Sequence, residues 1–279
     1  MHIMPSDLPP LREVIDAHGL RAKKGLGQHF LLDLNMTAKI ARLTKAGPDD
    51  HMIEIGPGPG GLTRALLDTG AHVTAIERDA RVMPILEEIS AAYDGRLTAH
   101  EADALRAEEP TLLPPGPSII ASNLPYNIST ELLVKWLTAA PRWWSHMVLM
   151  FQREVGERIL AAPGSKTYGR LSVLAQATSQ PKLGFHLPAR AFTPPPKVDS
   201  SVLVFDAPPC AAPNIPALEK VTAAAFSQRR KMIRTTLKPL FGAQLTEVLK
   251  AVDLEETARA ETLSVEDFIA LAGFLDKRL

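Results

Sequence analysis

The stretch Met52-Ile53-Glu54-Ile55-Gly56-Pro57-Gly58-Pro59-Gly60-Gly61 constrains the fold more than any other. An apolar run of strand length meets a turn of glycine and proline, and residues 62–68 then read as helix. His72-Val73-Thr74-Ala75-Ile76-Glu77 is a second strand, closed by an acid. Strand, glycine turn, helix and strand make a nucleotide-binding βαβ unit, with a carboxylate about twenty positions after the glycines. Gly56, Gly58 and Gly61 satisfy G-x-G-x-x-G, a pattern that suits NAD as well as S-adenosylmethionine. Both uses need a tight turn free of side chains and a carboxylate that takes the two ribose hydroxyls. Two features favour the methyl donor. Glu54 lies inside the first strand, and two prolines stiffen a loop that has no pyrophosphate to follow.

The same alternation continues. Residues 82–93 read as helix and 97–101 as strand, followed by Asp103. At a strand end Asp103 can accept from an adenine amino group, or cap the next turn. Ser118-Ile119-Ile120-Ala121-Ser122 is a buried fourth strand that runs into Asn123-Leu124-Pro125-Tyr126. Strand ends of this kind are where open α/β sheets bind ligands. Pro125 fixes its own backbone and biases Leu124 towards an extended form. The turn therefore presents an amide and a ring side by side, which suits a planar base with an exocyclic amine. The alternative is a strand-ending turn with a half-buried tyrosine. A helix over 129–137 capped by Ser129, a strand over 147–151 and a helix over 153–160 complete a doubly wound α/β domain.

Residues 185–187 and 201–205 look like late strands, separated by the stiff loop Phe192-Thr193-Pro194-Pro195-Pro196. Phe192 either faces the site or tucks beneath that loop. Pro208, Pro209, Pro213 and Pro216 mark a domain boundary, dividing the chain into 1–207 and a helical 213–279. Helices are predicted over 217–227, 232–240, 244–252 and 264–275. With 31 basic and 31 acidic residues, the chain has no global field for nucleic acid, so such binding requires a local patch. Arg229, Arg230, Lys231 and Arg234 form one without an intervening acid, as a phosphate contact or a solvated helix face. Arg21, Lys23 and Lys24, before Gly25 and Gly27, form a second basic cluster. The single cysteine, Cys210, excludes an internal disulfide and a cysteine zinc cluster. No apolar run reaches membrane-span length and no signal-peptide core is evident, so a cytoplasmic location is expected.

Taken in order, Gly27-Gln28-His29-Phe30-Leu31, Glu54-Ile55-Gly56-Pro57-Gly58-Pro59-Gly60, Glu77-Arg78-Asp79, Asn123-Leu124-Pro125-Tyr126, Phe151-Gln152-Arg153-Glu154-Val155, Phe192 to Ser200 and Phe226-Ser227-Gln228-Arg229-Arg230-Lys231 resemble the ribosomal RNA adenine dimethyltransferases, in particular the small-subunit branch. The resemblance runs from about Leu20 to the C-terminal helices. It implies a Rossmann-like S-adenosylmethionine-dependent domain followed by a small all-helical domain. It also implies methyl transfer to N6 of two adjacent adenines near the 3′ end of 16S rRNA, within the assembling 30S subunit, by a monomer. His29, Leu31, Gly56, Glu77, Asp103 and Asn123 inherit cofactor contacts. Many members carry Asn where this chain has His29. Asn123 and the Leu124 carbonyl are expected to hold N6, Tyr126 to stack on the base and Phe192 to close its other face. The helical domain would bind rRNA through Arg229, Arg230, Lys231 and Arg234. No metal and no covalent intermediate are expected. The rival readings are an Erm-type large-subunit rRNA methyltransferase, a DNA N6-adenine methyltransferase, a non-catalytic assembly factor on the same fold, and an NAD-dependent oxidoreductase.

Overall fold

The computed structural model describes residues 4–20, 28–208 and 213–276, so Arg21, Lys23, Lys24, Gly25, Gly27 and Cys210 lie outside the described residues. The chain divides into two compact units, one of Met1–Gly156 with Lys182–Asp206, the other of Glu157–Pro181 with Ala207–Leu279.

The first unit is built on β2 (His51–Ile55), β3 (His72–Glu77), β4 (Leu97–Glu101), β5 (Ser118–Asn123), β6 (Trp144–Gln152), β7 (Gln180–Leu187) and β9 (Ser200–Asp206). They form one seven-stranded sheet in the order β4-β3-β2-β5-β6-β9-β7. The first five in that order run parallel, and β9 is antiparallel to β6. Parallel strands covered on both faces read as continuous apolar runs. Accordingly Met52, Ile53, Ile120 and Ala121 are fully buried. Helices α2 (Leu34–Leu43), α3 (Gly61–Leu67), α4 (Met83–Ala92) and α5 (Ser129–Leu137) belong to the same unit, as does the N-terminal α1 (Leu11–Ala17). Asp33 caps α2 by accepting from the amides of Asn35 and Met36. Chain order reverses between β2 and β5, which makes the ends of those strands the switch point of the sheet.

A second, two-stranded sheet pairs β1 (Phe30–Leu31) with β8 (Phe192–Thr193), antiparallel, with Leu31 opposite Phe192. Neither strand is foreseen from sequence, because two residues carry no readable period.

The second unit is helical. α7 (Arg170–Thr178), α8 (Ile215–Ala225) and α12 (Val265–Asp276) pack on one another, and the chain first enters the unit within α6 (Arg153–Ile159). Tyr168 meets the Phe226 ring edge-on and Phe226 stacks on Phe268 at 5.5 Å. No sequence signal singles out α7. Its buried Val173, Leu174 and Ala175 explain why 157–181 joins the C-terminal helices, where proline content alone draws the boundary at 207. The single helix predicted over 232–240 is two short ones, α9 (Ile233–Thr236) and α10 (Lys238–Phe241), followed by α11 (Leu245–Ala251). Pro239 has no N–H for the carbonyl four residues back and clashes with it, so a continuous helix is interrupted there.

Candidate active site

The ends of β2, β3, β4 and β5 open into a cleft of about 1080 Å³, its mouth included, that lies wholly within the first unit. His29, Leu31, Gly56, Glu77, Asp103, Asn123, Leu124 and Tyr126 all line it. The structure therefore brings together eight of the nine residues expected there.

The glycine turn forms the floor. Gly56 and Gly58 take φ of 66° and 52°, conformations that L side chains rarely adopt. A Cβ on Gly58 would come within 3.2 Å of the Phe30 ring. The Gly58 amide donates to Glu77 Oε2 at 3.2 Å, while the amides of Arg78 and Asp79 donate to Oε1 at 2.8 Å each. Glu77 ends β3 and is 6% exposed. Burial raises its carboxyl above the usual range, opposed by those three amides. A carboxylate offers about four lone-pair directions. Backbone groups take three, so accepting both ribose hydroxyls entails sharing or displacing one amide, and the Gly58 bond is the longest.

Glu54 lies beneath the turn, 1% exposed, with the Thr63 hydroxyl donating to Oε2 at 2.7 Å. Burial pushes its carboxyl up to about 8, so it is neutral at pH 7. One acid at this edge is thus kept protonated beside another, Glu77, that meets three N–H donors.

Asp103 follows β4. Its Oδ1 accepts from the Leu105 amide at 3.1 Å, and Arg78 Nη1 stands 3.6 Å from Oδ2. The turn-capping role is met by one oxygen, and the carboxylate also borders the cleft.

Asn123 ends β5, half-exposed after five buried residues. Its Nδ2 donates to the main-chain oxygen of His29 at 3.2 Å, which leaves Oδ1 as the acceptor. Leu124 is 1% exposed, so only its main chain serves the site, and its carbonyl accepts no hydrogen bond among the described residues. Tyr126 Oη lies 2.5 Å from Ser200 Oγ, and its ring centroid is 5.5 Å from that of His29. Burial raises the Tyr126 phenol, so it stays neutral. His29 Nδ1 is 2.8 Å from the Pro194 oxygen, which ties the start of β1 to the proline loop. Ser129 does not cap α5. It is the first helical residue, and its hydroxyl donates to the Tyr126 carbonyl at 3.1 Å, closing the turn instead.

Phe192 requires a correction. Expected against the second face of a base, it is 2% exposed, with its ring in the core cluster that contains Leu31, Met150 and Val202. Pairing with Leu31 places the ring over the sheet, and burying a phenylalanine gains about 1.5–3 kcal/mol over leaving it exposed. Leu31 likewise offers the cleft mainly backbone, being 5% exposed. Phe30, Arg78, Pro194 and Ser200 were not singled out from sequence. Arg78 simply follows β3, whereas Phe30 and Pro194 come together through the β1–β8 pairing and Ser200 arrives on β9, and no local signal announces those long-range neighbours.

In the second unit, Arg230, Lys231 and Arg234 are exposed, with no ion-pair partner among the described residues. Arg229 differs. Its guanidinium donates to Glu261 Oε2 at 2.8 Å, to the Lys166 carbonyl at 2.6 Å and to the Ser165 carbonyl at 3.3 Å.

The first unit's donor set fits an adenosine bearing a charged tail. It combines a strand-end carboxylate for ribose, an acid for a base amine, apolar Phe30 and Ile76 as walls, and a glycine turn that admits close approach. No group of His, Cys, Asp and Glu among the described residues is arranged to hold a metal ion.

Residues 19–277 match the family described as Ribosomal RNA adenine dimethylase. The chain is 52% identical to Ribosomal RNA small subunit methyltransferase A of Maricaulis maris, over 95% of this chain and 94% of that protein. It is 54% identical to the protein of the same name from Ruegeria sp., covering 97% and 98% respectively. Among solved structures, a dimethyladenosine transferase from Plasmodium falciparum aligns with TM-score 0.78 at 26% identity, over 90% of this chain and 98% of that one. The 23S rRNA methyltransferase ErmE aligns with TM-score 0.69 at 26% identity, over 88% and 99%.

Proposed function

The chain belongs to the ribosomal RNA adenine dimethylase family, and from that premise we propose that it transfers methyl groups from S-adenosyl-L-methionine to N6 of two adjacent adenosines near the 3′ end of small-subunit rRNA. Each base receives two methyls, giving N6,N6-dimethyladenosines late in subunit assembly. One observation carries the reading: the Asn123 Oδ1 acceptor and Tyr126 both line the cleft that Glu77, Asp103 and the glycine turn also line. Relatives at 52% and 54% identity named for the small subunit favour that rRNA over the large-subunit substrate of ErmE. The reading extends to a monomer acting in the cytoplasm on 30S subunits under assembly. Among the described residues no helix is long and apolar enough to cross a membrane.

The bound cofactor supplies an electrophilic methyl on a sulfonium sulfur. Glu77 and Asp103 would hold its nucleoside, and the turn from Gly56 to Gly58 would leave room for its tail. The adenine N6 lone pair is delocalised into the ring and is a poor nucleophile. Hydrogen bonds from the N6 amine to Asn123 Oδ1 and the Leu124 carbonyl draw N6 towards tetrahedral geometry. Tyr126 stacks on a base that has left its own stack. Much of the rate then comes from alignment. No strong base is required, since an alkylated N6 cation sheds its proton readily. Arg230, Lys231 and Arg234 contact phosphates.

The test is to incubate the protein with labelled S-adenosylmethionine and, in parallel, unmethylated small subunits, large-subunit rRNA or DNA, then map the label by primer extension. Label on two neighbouring adenines near the 3′ end supports the reading. Label confined to large-subunit rRNA or to DNA overturns it.

A further inference from the structure

Lys135 does not line the cleft, yet it is tied to a residue that does. Its ammonium, near the end of α5, donates to the carbonyls of Ala104 at 2.9 Å and Ala107 at 2.6 Å, and to the Glu109 carboxylate at 2.8 Å. An ammonium has three protons, and three acceptors meet them. Glu109 is 1% exposed and also takes the Trp136 indole N–H at 3.0 Å, so the pair is anchored from both sides.

The two carbonyls belong to the turn that Asp103 heads. The amides of Arg106 and Ala107 both donate to the Asp103 carbonyl at 2.9 Å. The turn joins no regular element here, and α5 grips it at two points. The same helix starts at Ser129, directly after the Asn123–Tyr126 turn. One rigid rod of about 1.5 Å per residue thus carries the base-holding turn at one end and the grip on Asp103 near the other.

We propose that Lys135 is a positioning residue for cofactor recognition: by holding the Ala104 and Ala107 carbonyls it sets the Asp103 carboxylate where it reads the 6-amino group of the cofactor's adenine. The inference rests on the proposed contact of Asp103 with that amine. A methylene side chain at 135 would fill the same space but leave two carbonyls and a buried carboxylate without their cation.

The experiment compares S-adenosylhomocysteine with its analogue lacking the 6-amino group, by calorimetric titration of the full chain. A hydrogen bond to a charged acceptor corresponds to a preference of about tenfold or more for the amino form in the unaltered protein. Lys135→Met strands the Glu109 charge, so Lys135→Met combined with Glu109→Gln is measured beside it, because the amide introduced by Glu109→Gln keeps an oxygen for Trp136. In either folded variant the preference is expected to shrink to within about threefold while affinity for the deamino analogue stays within about twofold. A merely structural lesion weakens both ligands alike and leaves the ratio intact, and that result overturns the proposal. Asp103→Ala separates the premise from the inference. If that variant keeps the full preference, Asp103 does not read the amine and the Lys135 role falls with it. If Asp103→Ala loses the preference and the Lys135 variants keep it, only the Lys135 role falls.

Discussion

Asn123 Nδ2 donates to the main-chain oxygen of His29 at 3.2 Å, and this bond decides which end of the amide faces the cleft. Oδ1 is left as an open acceptor, and under the proposed function it accepts from a base amine, an interaction that strengthens as N6 becomes tetrahedral. Interactions gained in the transition state appear in turnover. Asn123→Ala is expected to lower single-turnover methyl transfer by on the order of 10²-fold, the scale of one positioned transition-state donor. The measurement is made at saturating cofactor, with cofactor affinity determined separately. An unchanged rate contradicts the assignment.

Tyr126 is held by its hydroxyl as well as by its ring. Ser200 is 0% exposed, so Tyr126→Phe leaves a buried hydroxyl without its partner, at a cost of about 1–3 kcal/mol. A role in stacking alone would leave this substitution nearly silent, because the ring stays. With the Ser200 bond in view, Tyr126→Phe and Ser200→Ala are both expected to raise the apparent KM for rRNA several-fold with kcat retained. Tyr126→Ala should cost a further ~1–3 kcal/mol of stacking. If both conservative changes prove silent, the bond does not position the ring.

Glu77 organises the turn before it binds anything, through the amides of Gly58, Arg78 and Asp79. Charge-assisted bonds are worth about 1.5–3 kcal/mol each. Glu77→Gln should therefore weaken S-adenosylmethionine binding by about tenfold or more without unfolding the domain. Calorimetric titration checks the affinity and a thermal melt checks the fold. Equal affinity for both proteins refutes the contact.

Glu54 predicts a pH dependence of stability. Its carboxyl is raised from 4.5 to about 8 in the fold, chiefly by burial. Below 4.5 it is neutral in both states. Above that the unfolded state ionises while the folded state keeps its proton, so stability declines as pH rises, until the folded group ionises near 8. Glu54→Gln removes this slope. Measured by urea unfolding, the variant should gain on the parent between pH 5 and 8, by an amount on the order of a few kcal/mol. Parallel curves for the two proteins would show that Glu54 ionises normally.

The basic residues of the second unit separate into two kinds. Arg230→Ala, Lys231→Ala and Arg234→Ala should each reduce the salt dependence of subunit binding by about one counterion and leave cofactor affinity alone. Arg229→Ala removes bonds to Glu261, Lys166 and Ser165, so it should lower the melting temperature instead. Binding measured across a salt series, with melts alongside, tests both. A slope that stays constant through all three exposed substitutions identifies a solvated face.

The order of elements was written in local pattern. Apolar runs, the glycine turn of Gly56 to Gly61, the acid closing β3 and the Asn123–Tyr126 turn each announce themselves within ten residues, because strand length, φ restriction and side-chain chemistry are local properties. Those same patterns placed Glu77, Asp103 and Asn123 at strand ends, and parallel strands of one sheet bring their ends to one edge. What depends on register was not legible. Phe192 reads as a ring beside the site, yet pairing with Leu31 carries it into the core. Ser200 reads as an ordinary strand residue, yet β9 delivers it to the Tyr126 hydroxyl. Arg229 reads as one of four free cations, yet Glu261 and two carbonyls occupy it. By itself the sequence determined the fold class, the family and the residues of the cleft floor. Only the tertiary structure decided which end of the Asn123 amide faces outward, that Glu54 keeps its proton, and that Lys135 grips the Asp103 turn. Those outcomes come from burial and from partners up to 94 positions apart in the chain, a distance over which no sequence pattern carries information.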